Sequence, residues 1–203
     1  MAGILYIVSA PSGAGKTTLC KMAVERISGL RHSVSYTTRP ARPGETDGVE
    51  YRFIDDAAFD AMIERGEFLE YAGVFGKRYG TSRKDLERLL AEGADVLLEI
   101  DVQGAEKVRK TIDGVAYIFI LPPSVEVCKQ RLEARAKDQP RQIARRLAEA
   151  MKEIKKVFDY DYVIINDELD TAFEQLKSVI IAERVRGGRA MKEVTRLFGG
   201  FLD

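Results

Sequence analysis

The chain is poor in residues that build disulfides and metal sites, because its 203 residues include only two cysteines, Cys20 and Cys128, and one histidine, His32. With no CxxC pair, a disulfide framework or a zinc site is not expected, and both cysteines are predicted to be core residues in a reducing compartment. No stretch approaches the roughly 18 apolar residues that a membrane span needs. The amino-terminal residues lack the pattern of a secretory signal. We therefore expect a cytoplasmic protein without a membrane partner.

The chain also lacks an excess charge of either sign. Its 32 lysines and arginines are balanced by 32 aspartates and glutamates, so no global field would attract nucleic acid or a membrane surface. Hydrophobic residues make up 45% of the sequence, which is enough for a sizeable core. The length suits one domain, or one core with inserted subdomains.

The most informative segment is residues 8–18, Val-Ser-Ala-Pro-Ser-Gly-Ala-Gly-Lys-Thr-Thr, which overlaps the end of the apolar run 4–8. This order predicts a buried strand, a glycine-rich phosphate loop and a helix, with Ala10 in place of the first glycine of the usual motif. Gly13 and Gly15 allow backbone N–H groups to turn inward as an anion-binding nest. The amides and the positive dipole end of the following helix add to this nest.

At the start of that helix, Lys16 can reach the β- and γ-phosphates of a nucleoside triphosphate, and the Thr17 hydroxyl can coordinate Mg²⁺. The alternative is a chance turn between strand and helix, which the position of the Lys-Thr pair argues against. The predicted triphosphate-binding residues are Ala10, Pro11, Ser12, Gly13, Ala14, Gly15, Lys16, Thr17 and Thr18.

Apolar runs alternate with helical periodicity along most of the chain. We expect strands at 4–8, 94–100, 115–121 and 160–165, and helices at about 16–28, 83–92, 124–136, 141–157 and 169–186. This alternation is typical of an α/β fold with a parallel sheet and helices on both faces. The carboxyl ends of the strands, at Ser9 and near Asp101, should converge on one ligand-binding crevice.

Residues 34–81 do not follow this alternation of strands and helices. They predict a small α+β insertion of short strands, turns and one helix near 56–65. Within it, Arg39 and Arg42 could clamp a monoester phosphate, with tyrosine hydroxyls completing the clamp. A carboxylate beside hydroxyls suits the adjacent N–H donors of guanine, whereas adenine would face it with a lone pair. Taken alone, the arginines would more often be solvated turn residues. The phosphate loop changes this balance, because a kinase needs an acceptor site opposite its donor site.

Together these segments resemble the guanylate kinase family from about Leu5 to about Arg186. The most specific match is Ser-Val-Ser-Tyr-Thr-Thr-Arg-Pro-Ala-Arg-Pro-Gly-Glu at 33–45, and the other matches lie at 9–17, 48–51, 67–72, 79–82, 98–105, 121–124 and 163–167. The resemblance implies a P-loop NTPase-type sheet that carries a GMP-binding insertion and a helical lid. It also implies transfer of phosphate from Mg-ATP to GMP, giving ADP and GDP, by in-line attack of a GMP phosphate oxygen.

The resemblance also implies a role for individual residues of the insertion. It assigns the GMP phosphate to Arg39, Arg42, Tyr51 and Tyr79. It assigns the guanine to Ser35, Glu70 and Thr81, and Glu45, Glu99 and Asp101 complete the GMP-binding set. Glu99 and Asp101 would stand beside the transferring phosphate, where they can hold an arginine or organise water on a Mg²⁺ ion bound by Thr17.

Residues 129–156 carry ten lysines and arginines against four acids. Such a charge run is usually a solvated helix face, but the resemblance identifies 126–157 as a lid that closes over ATP. Its phosphate-contacting arginines match Arg131, Arg135 and Arg146. Two departures from the family pattern are Ala134-Arg135-Ala136, where glycines are common, and Pro140 after an expected Asp138 cap. The catalytic residues so implied are Lys16, Arg39, Arg42, Arg131, Arg135 and Arg146.

The predicted domain spans 3–186, with a core of 3–33, 82–125 and 158–186, the insertion 34–81 and the lid 126–157. The tail, 187–203, should be a docked short helix or a frayed end. Three other functions fit parts of the sequence: a kinase for another base, a guanylate-kinase-like binding module, and a P-loop regulatory ATPase. Such modules have lost the phosphate-loop lysine, and an ATPase would lack the arginine clamp. Monomer and homodimer fit the sequence equally.

Overall fold

The structure is a computed structural model that describes residues 3–74, 76–135 and 140–201. Its strands are β1 (Leu5–Ser9), β2 (Leu30–His32), β3 (Tyr36–Thr37), β4 (Arg52–Phe53), β5 (Phe68–Val74), β6 (Lys77–Ser82), β7 (Asp95–Glu99), β8 (Ala116–Leu121) and β9 (Tyr162–Ile165). Its helices are α1 (Lys16–Arg26), α2 (Asp56–Glu64), α3 (Arg83–Ala91), α4 (Val102–Arg109), α5 (Val125–Arg135), α6 (Pro140–Ile154), α7 (Leu169–Arg184) and α8 (Gly187–Phe198). Short 3₁₀ helices occupy Val157–Asp159 and Gly199–Phe201.

Five strands form a parallel sheet in the order β2-β7-β1-β8-β9. Side chains of the central strand alternate between the two faces of this sheet. Tyr6 and Val8 join a buried cluster with α1 and α7, whereas Leu5 and Ile7 join a second cluster with α3 and α4. The predicted α/β class, with helices on both faces of a parallel sheet, is confirmed. Within the described ranges, no helix combines the length and apolar character needed to cross a membrane.

The insertion forms a separate four-stranded sheet in the order β4-β3-β6-β5, with α2 packed against it. Phe59 and Met62 of α2 and Phe68 of β5 make its small core. Strands β5 and β6 are antiparallel, and their register places Glu70 opposite Thr81. Two residues that are eleven apart in sequence therefore lie side by side on one face.

The helices α5 and α6 pack together through their own small cluster, in which Cys128, Leu132 and Ala150 are buried. Pro140 is the first residue of α6, a position where its missing N–H and fixed φ are tolerated. The expected Asp138 cap and Ala136 lie outside the described residues.

The sequence did not predict two elements, the strand β2 and the helix α4. Strand β2 has three residues, too few for a periodic signal, and it lies beside β7 at one end of the sheet order. Helix α4 has eight residues and contains Gly104, which lowers intrinsic helix propensity. Its start is nonetheless well defined, because the Asp101 carboxylate accepts a hydrogen bond from the Gly104 N–H at 2.8 Å.

The tail forms the helix α8, which is tied to α7 through Glu183. This carboxylate is 1% exposed and lies 2.9 Å from Arg189 of α8, and it accepts a hydrogen bond from the Tyr162 hydroxyl at 2.6 Å. Arg189 also donates to the Gly114 carbonyl at 2.8 Å. The contacts of Glu183 therefore join the edge strand β9, α7 and α8.

Glu183→Gln should lower the free energy of unfolding by about 1–3 kcal/mol, because it weakens a buried charge-assisted contact without changing side-chain size. Urea unfolding followed by circular dichroism measures this change. Glu174→Gln is the matched control, because Glu174 lies on the same helix in an exposed pair with Lys177 and should change little. Equal stability of the two variants would contradict the role given to Glu183.

Candidate active site

The phosphate loop lies between β1 and α1, where the sequence predicts it. Gly13 and Gly15 adopt φ of 93° and 84°, a region that favours glycine, and α1 begins at Lys16 as expected. The Ala14 N–H bonds the Pro11 carbonyl at 3.1 Å, which closes the turn. The loop thus presents the amino-terminal end of α1, with its unpaired amides, at the carboxyl edge of the core sheet.

The end of β7 supplies the groups that face Lys16 and Thr17. Lys16 Nζ donates to the Ile100 carbonyl at 3.3 Å, and Thr17 Oγ1 donates to Glu99 Oε2 at 3.2 Å. His32 Nε2 lies 3.2 Å from the other Glu99 oxygen. Burial works against ionisation of Glu99, but His32 and Lys16 outweigh it and hold the pKa of Glu99 below its usual value. The Lys16 ammonium group and the Glu99 carboxylate therefore both lie at the end of β7, beside the loop.

In the insertion, Glu70 and Thr81 form a buried polar pair. The Thr81 hydroxyl donates to Glu70 Oε1 at 2.6 Å, and Glu70 is only 5% exposed. Ser35 is buried in the same subdomain. Gly104 of α4 permits the close approach of this carboxylate to the core, because a Cβ there would lie 2.7 Å from Glu70 Oε2. Burial raises the pKa of Glu70 to about 7, with the Asp101 charge acting in the same direction.

A second cluster of the insertion is cationic and aromatic. Arg39 makes a bidentate pair with Glu45, with both N–O distances 2.8 Å, and its guanidinium lies 5.3 Å from the centre of the Tyr51 ring. The Tyr51 and Tyr79 rings pack edge to face at 5.8 Å. Glu45 also accepts the Arg42 N–H at 2.7 Å, and the Arg42 side chain is exposed. Glu45 thus fixes Arg39 and the turn that carries Arg42.

The two clusters of the insertion face the core at different points. Burial, together with the charge of Glu99, raises the pKa of Tyr51 to about 12. The charge of Asp101 acts on Glu70. The charge of Glu99 therefore reaches the cationic cluster, whereas Gly104 places the Glu70–Thr81 pair against the first turn of α4. This arrangement suits an anion beside the phosphate loop with an attached base farther away.

Of the three predicted lid arginines, Arg131 has defined contacts. It donates from α5 to the Asn166 carbonyl at 2.9 Å and to the Asp167 carbonyl at 3.5 Å. Arg146 lies partly buried on α6. Arg135 is the last residue of α5, and its side chain lies outside the described part of the structure.

Three residues outside the predicted set also touch the phosphate loop. Cys128 Sγ donates to the Ser12 carbonyl at 3.3 Å, and Asn166 Nδ2 donates to the Ala14 carbonyl at 2.7 Å. Glu153 of α6 faces the Ser12 N–H, Lys16 and Asp101, and burial raises the pKa of Glu153 to about 7. For Asn166 a signal existed in the sequence, since it directly follows a strand and so stands at the ligand-binding edge of the sheet.

The fold and this geometry define a class of protein. A phosphate loop at the carboxyl edge of a parallel sheet, opposite a small inserted subdomain with an arginine cluster and a buried carboxylate, is the arrangement of a P-loop nucleoside monophosphate kinase. The family model described as Guanylate kinase matches residues 3–183. The chain therefore belongs to the guanylate kinase family, the ATP:GMP phosphotransferases, and its substrates are ATP and GMP.

Individual relatives agree with this assignment. The guanylate kinases of Geobacter metallireducens and Geobacter sulfurreducens are each 50% identical to this chain over 196 residues, which cover 97% of this chain and of each relative. The crystal structure of guanylate kinase from Anaplasma phagocytophilum superposes with a TM-score of 0.82 at 34% identity, covering 100% of this chain and 98% of the other. The predicted family and activity are confirmed.

Proposed function

We propose that the phosphate loop binds ATP with Lys16 as the bridge between its β- and γ-phosphates. Backbone N–H groups of residues 10–18 and the amino-terminal end of α1 hold the phosphate oxygens. The hydrogen bond from Lys16 Nζ to the Ile100 carbonyl supports this role, because it holds the ammonium group at the carboxyl end of β7, beside the loop. Glu99 adds a carboxylate at the end of the same strand, where the hydrogen bond from the Thr17 hydroxyl holds it beside the loop.

The oxygen-bearing side chains beside Lys16 suit a Mg²⁺ ion. The Thr17 hydroxyl, with Glu99 and Asp101 acting through water, would hold the ion, and hydroxyl, carboxylate and water oxygens are the ligands that Mg²⁺ prefers. Within residues 3–74, 76–135 and 140–201, no cluster of three or more His, Cys, Asp or Glu side chains could hold a metal ion alone. Mg²⁺ itself takes few protein ligands and relies on phosphates and water. The bound ion would neutralise charge on the β- and γ-phosphates.

The acceptor GMP occupies the insertion. Arg39 and Arg42, with the Tyr51 and Tyr79 hydroxyls, hold its phosphate, and Glu45 positions Arg39 for that contact. Ser35, Glu70 and Thr81 read the guanine, because an ionised carboxylate accepts hydrogen bonds from N1–H and from the exocyclic amine. The same contacts would accept dGMP, since none of them addresses the 2′ position of the sugar.

Catalysis then consists of positioning and charge neutralisation. The attacking GMP oxygen is already anionic, so no general base is required. Arg131, Arg135 and Arg146 close from the lid 126–157 onto the transferring phosphoryl group, and closure excludes water that would otherwise hydrolyse ATP. The core 3–33, 82–125 and 158–186 carries the donor site and 34–81 the acceptor site. Two buried free thiols support a reducing, cytoplasmic location.

The buried Glu70–Thr81 pair is the observation that carries the choice of base. ADP formation from Mg-ATP should therefore be measured with GMP, dGMP, AMP, CMP, UMP and dTMP, each against a reaction without acceptor. We expect turnover with the two guanine nucleotides and at least about a thousandfold less with AMP. Turnover with another base would overturn the Glu70 assignment, and turnover without any acceptor would indicate an ATPase.

The raised pKa of Glu70 gives a pH dependence that can be measured. Above about pH 7 the carboxylate is ionised and accepts both guanine N–H groups, and below it the protonated form presents a donor instead. We expect kcat/KM for GMP to fall on the acid side with a midpoint near this value. The second ionisation of the GMP phosphate, at about pH 6, adds a further fall of kcat/KM at lower pH. Glu70→Gln should lower kcat/KM at every pH, and its pH profile should retain only the fall that the ionisation of GMP causes. Identical pH profiles for the two proteins would contradict the assignment.

A further inference from the structure

Asn166, the only asparagine of the chain, lies at the carboxyl end of β9, one residue beyond the strand. Its backbone N–H bonds the Leu121 carbonyl at 2.7 Å, so the sheet fixes its position. The residue is 5% exposed. From this position its side chain reaches the phosphate loop, where Nδ2 donates to the Ala14 carbonyl at 2.7 Å across 152 residues of sequence.

The loop is shaped to admit this amide. Gly15 has φ of 84°, and a Cβ at this position would lie 2.5 Å from Asn166 Nδ2. Glycine at position 15 therefore serves two purposes: it allows the left-handed backbone conformation, and it leaves room for the asparagine side chain. The close approach shows that loop and asparagine are packed as one unit.

A phosphate-binding loop must turn its N–H groups toward the anion, so its carbonyl groups need donors on the other side. The Ala14 carbonyl finds its donor in Asn166, and the Ser12 carbonyl finds a weaker one in Cys128 at 3.3 Å. Without such donors, rotation of a peptide group could bring the negative end of a carbonyl dipole toward the phosphates. The buried amide of Asn166 opposes that rotation with a good hydrogen bond.

The backbone of Asn166 is engaged on the lid side as well. Arg131 Nη1 donates to the Asn166 carbonyl at 2.9 Å, and Nη2 lies 3.5 Å from the Asp167 carbonyl. A single residue therefore contacts the loop through its side chain and a lid arginine through its backbone. Both partners belong to the ATP side of the enzyme.

We propose that Asn166 is a positioning residue for ATP. Its side-chain amide holds the Ala14 carbonyl away from the phosphates, and its backbone carbonyl holds Arg131 beside the loop. This inference rests on the proposed binding of ATP at the phosphate loop, and it adds a determinant of the loop geometry from outside the loop itself.

Asn166→Asp is the sharpest variant, because it keeps the shape of the side chain while the ionised carboxylate cannot donate to Ala14. The KM values for ATP and GMP, kcat and the thermal midpoint of unfolding should be measured. We expect KM for ATP to rise about tenfold or more, since a buried hydrogen bond is replaced by two facing acceptors, while KM for GMP changes less than about twofold. Asn166→Ala should raise KM for ATP less, because it adds no charge.

Tyr162→Phe is the matched control. It removes a hydrogen bond of similar length from the same strand, but the bond runs to Glu183 of α7, away from the loop. It should lower stability without separating the two KM values. If Asn166→Asp does not fold, Asn166→Ser replaces it in the same comparison, because the shorter hydroxyl leaves Ala14 unpaired without adding charge.

Three results would overturn the proposal: an unchanged KM for ATP, equal rises in KM for ATP and GMP, or an effect that Tyr162→Phe reproduces. Lys16→Ala is measured in parallel to separate this outcome from failure of the ATP-site assignment. Normal turnover in Lys16→Ala would remove the assignment itself. Loss of turnover in Lys16→Ala beside an unaffected Asn166→Asp would overturn only the role of Asn166.

Discussion

Lys16→Ala should lower kcat by about two to three orders of magnitude, because it removes the ammonium group placed at the start of α1 beside the phosphate loop. Charge on the donor phosphates grows as the phosphoryl group transfers, and an ammonium group already held by the Ile100 carbonyl needs no reorganisation to stabilise it. The side chain is not part of a hydrophobic cluster, so the fold should survive. Coupled measurement of ADP formation at saturating ATP and GMP gives kcat directly.

Lys21→Ala is the control, because Lys21 lies on the same helix with an exposed side chain. Both variants should unfold at nearly the same temperature as the parent protein. Near-normal turnover in Lys16→Ala would remove the assignment of residues 10–18 to the ATP phosphates. Loss of turnover together with a large fall in the thermal midpoint would instead point to a damaged fold.

Arg39→Met should raise KM for GMP by about a hundredfold and lower kcat as well, while KM for ATP changes little. The guanidinium is held by a bidentate pair with Glu45 and by the Tyr51 ring, so its orientation is set before GMP binds. Methionine keeps most of the length and apolar stem but loses the charge and the hydrogen-bond donors. Initial rates over a grid of both substrate concentrations separate the two KM values.

Arg65→Met is the matched control within the insertion, because Arg65 pairs with Glu67 at an exposed position. Glu45→Gln should give an intermediate phenotype, since the amide keeps one acceptor for Arg39 but loses the charge that aligns it. Equal rises of both KM values in Arg39→Met would show that the substitution disturbs the enzyme as a whole rather than the GMP phosphate site.

Most of the fold could be predicted because it depends on local patterns. The apolar run before Ser9, the Gly-Lys-Thr sequence and the start of α1 at Lys16 agree with expectation, since each is specified by neighbouring residues. The start of α3 is equally local, because the Ser82 hydroxyl accepts a hydrogen bond from the Asp85 N–H at 3.2 Å. Helix α4 and strand β2 escaped prediction, because short elements take their stability from packing rather than from their own sequence.

The candidate site was only partly visible in the sequence. The resemblance to guanylate kinases named Glu70, Thr81 and Arg39, but it did not show that Gly104 makes room for Glu70 or that Glu45 forms a bidentate pair with Arg39. Glu153 appeared in the sequence as one acid in a basic run. Only the packing of α5 and α6 near the loop gives it a half-buried place within reach of the charges of Lys16 and Asp101.

By itself, the sequence determined the class of chemistry, because a phosphate loop is a local structure whose glycines, lysine and threonine act within one turn of chain. It also determined the parallel α/β layout, which follows from the order of apolar and amphipathic segments. Tertiary structure alone decided which distant groups support the loop. Asn166 meets Ala14 because two strands of the core sheet end at the same edge, and Glu70 meets Gly104 because the insertion packs against α4. Sequence spacing carries no record of such contacts.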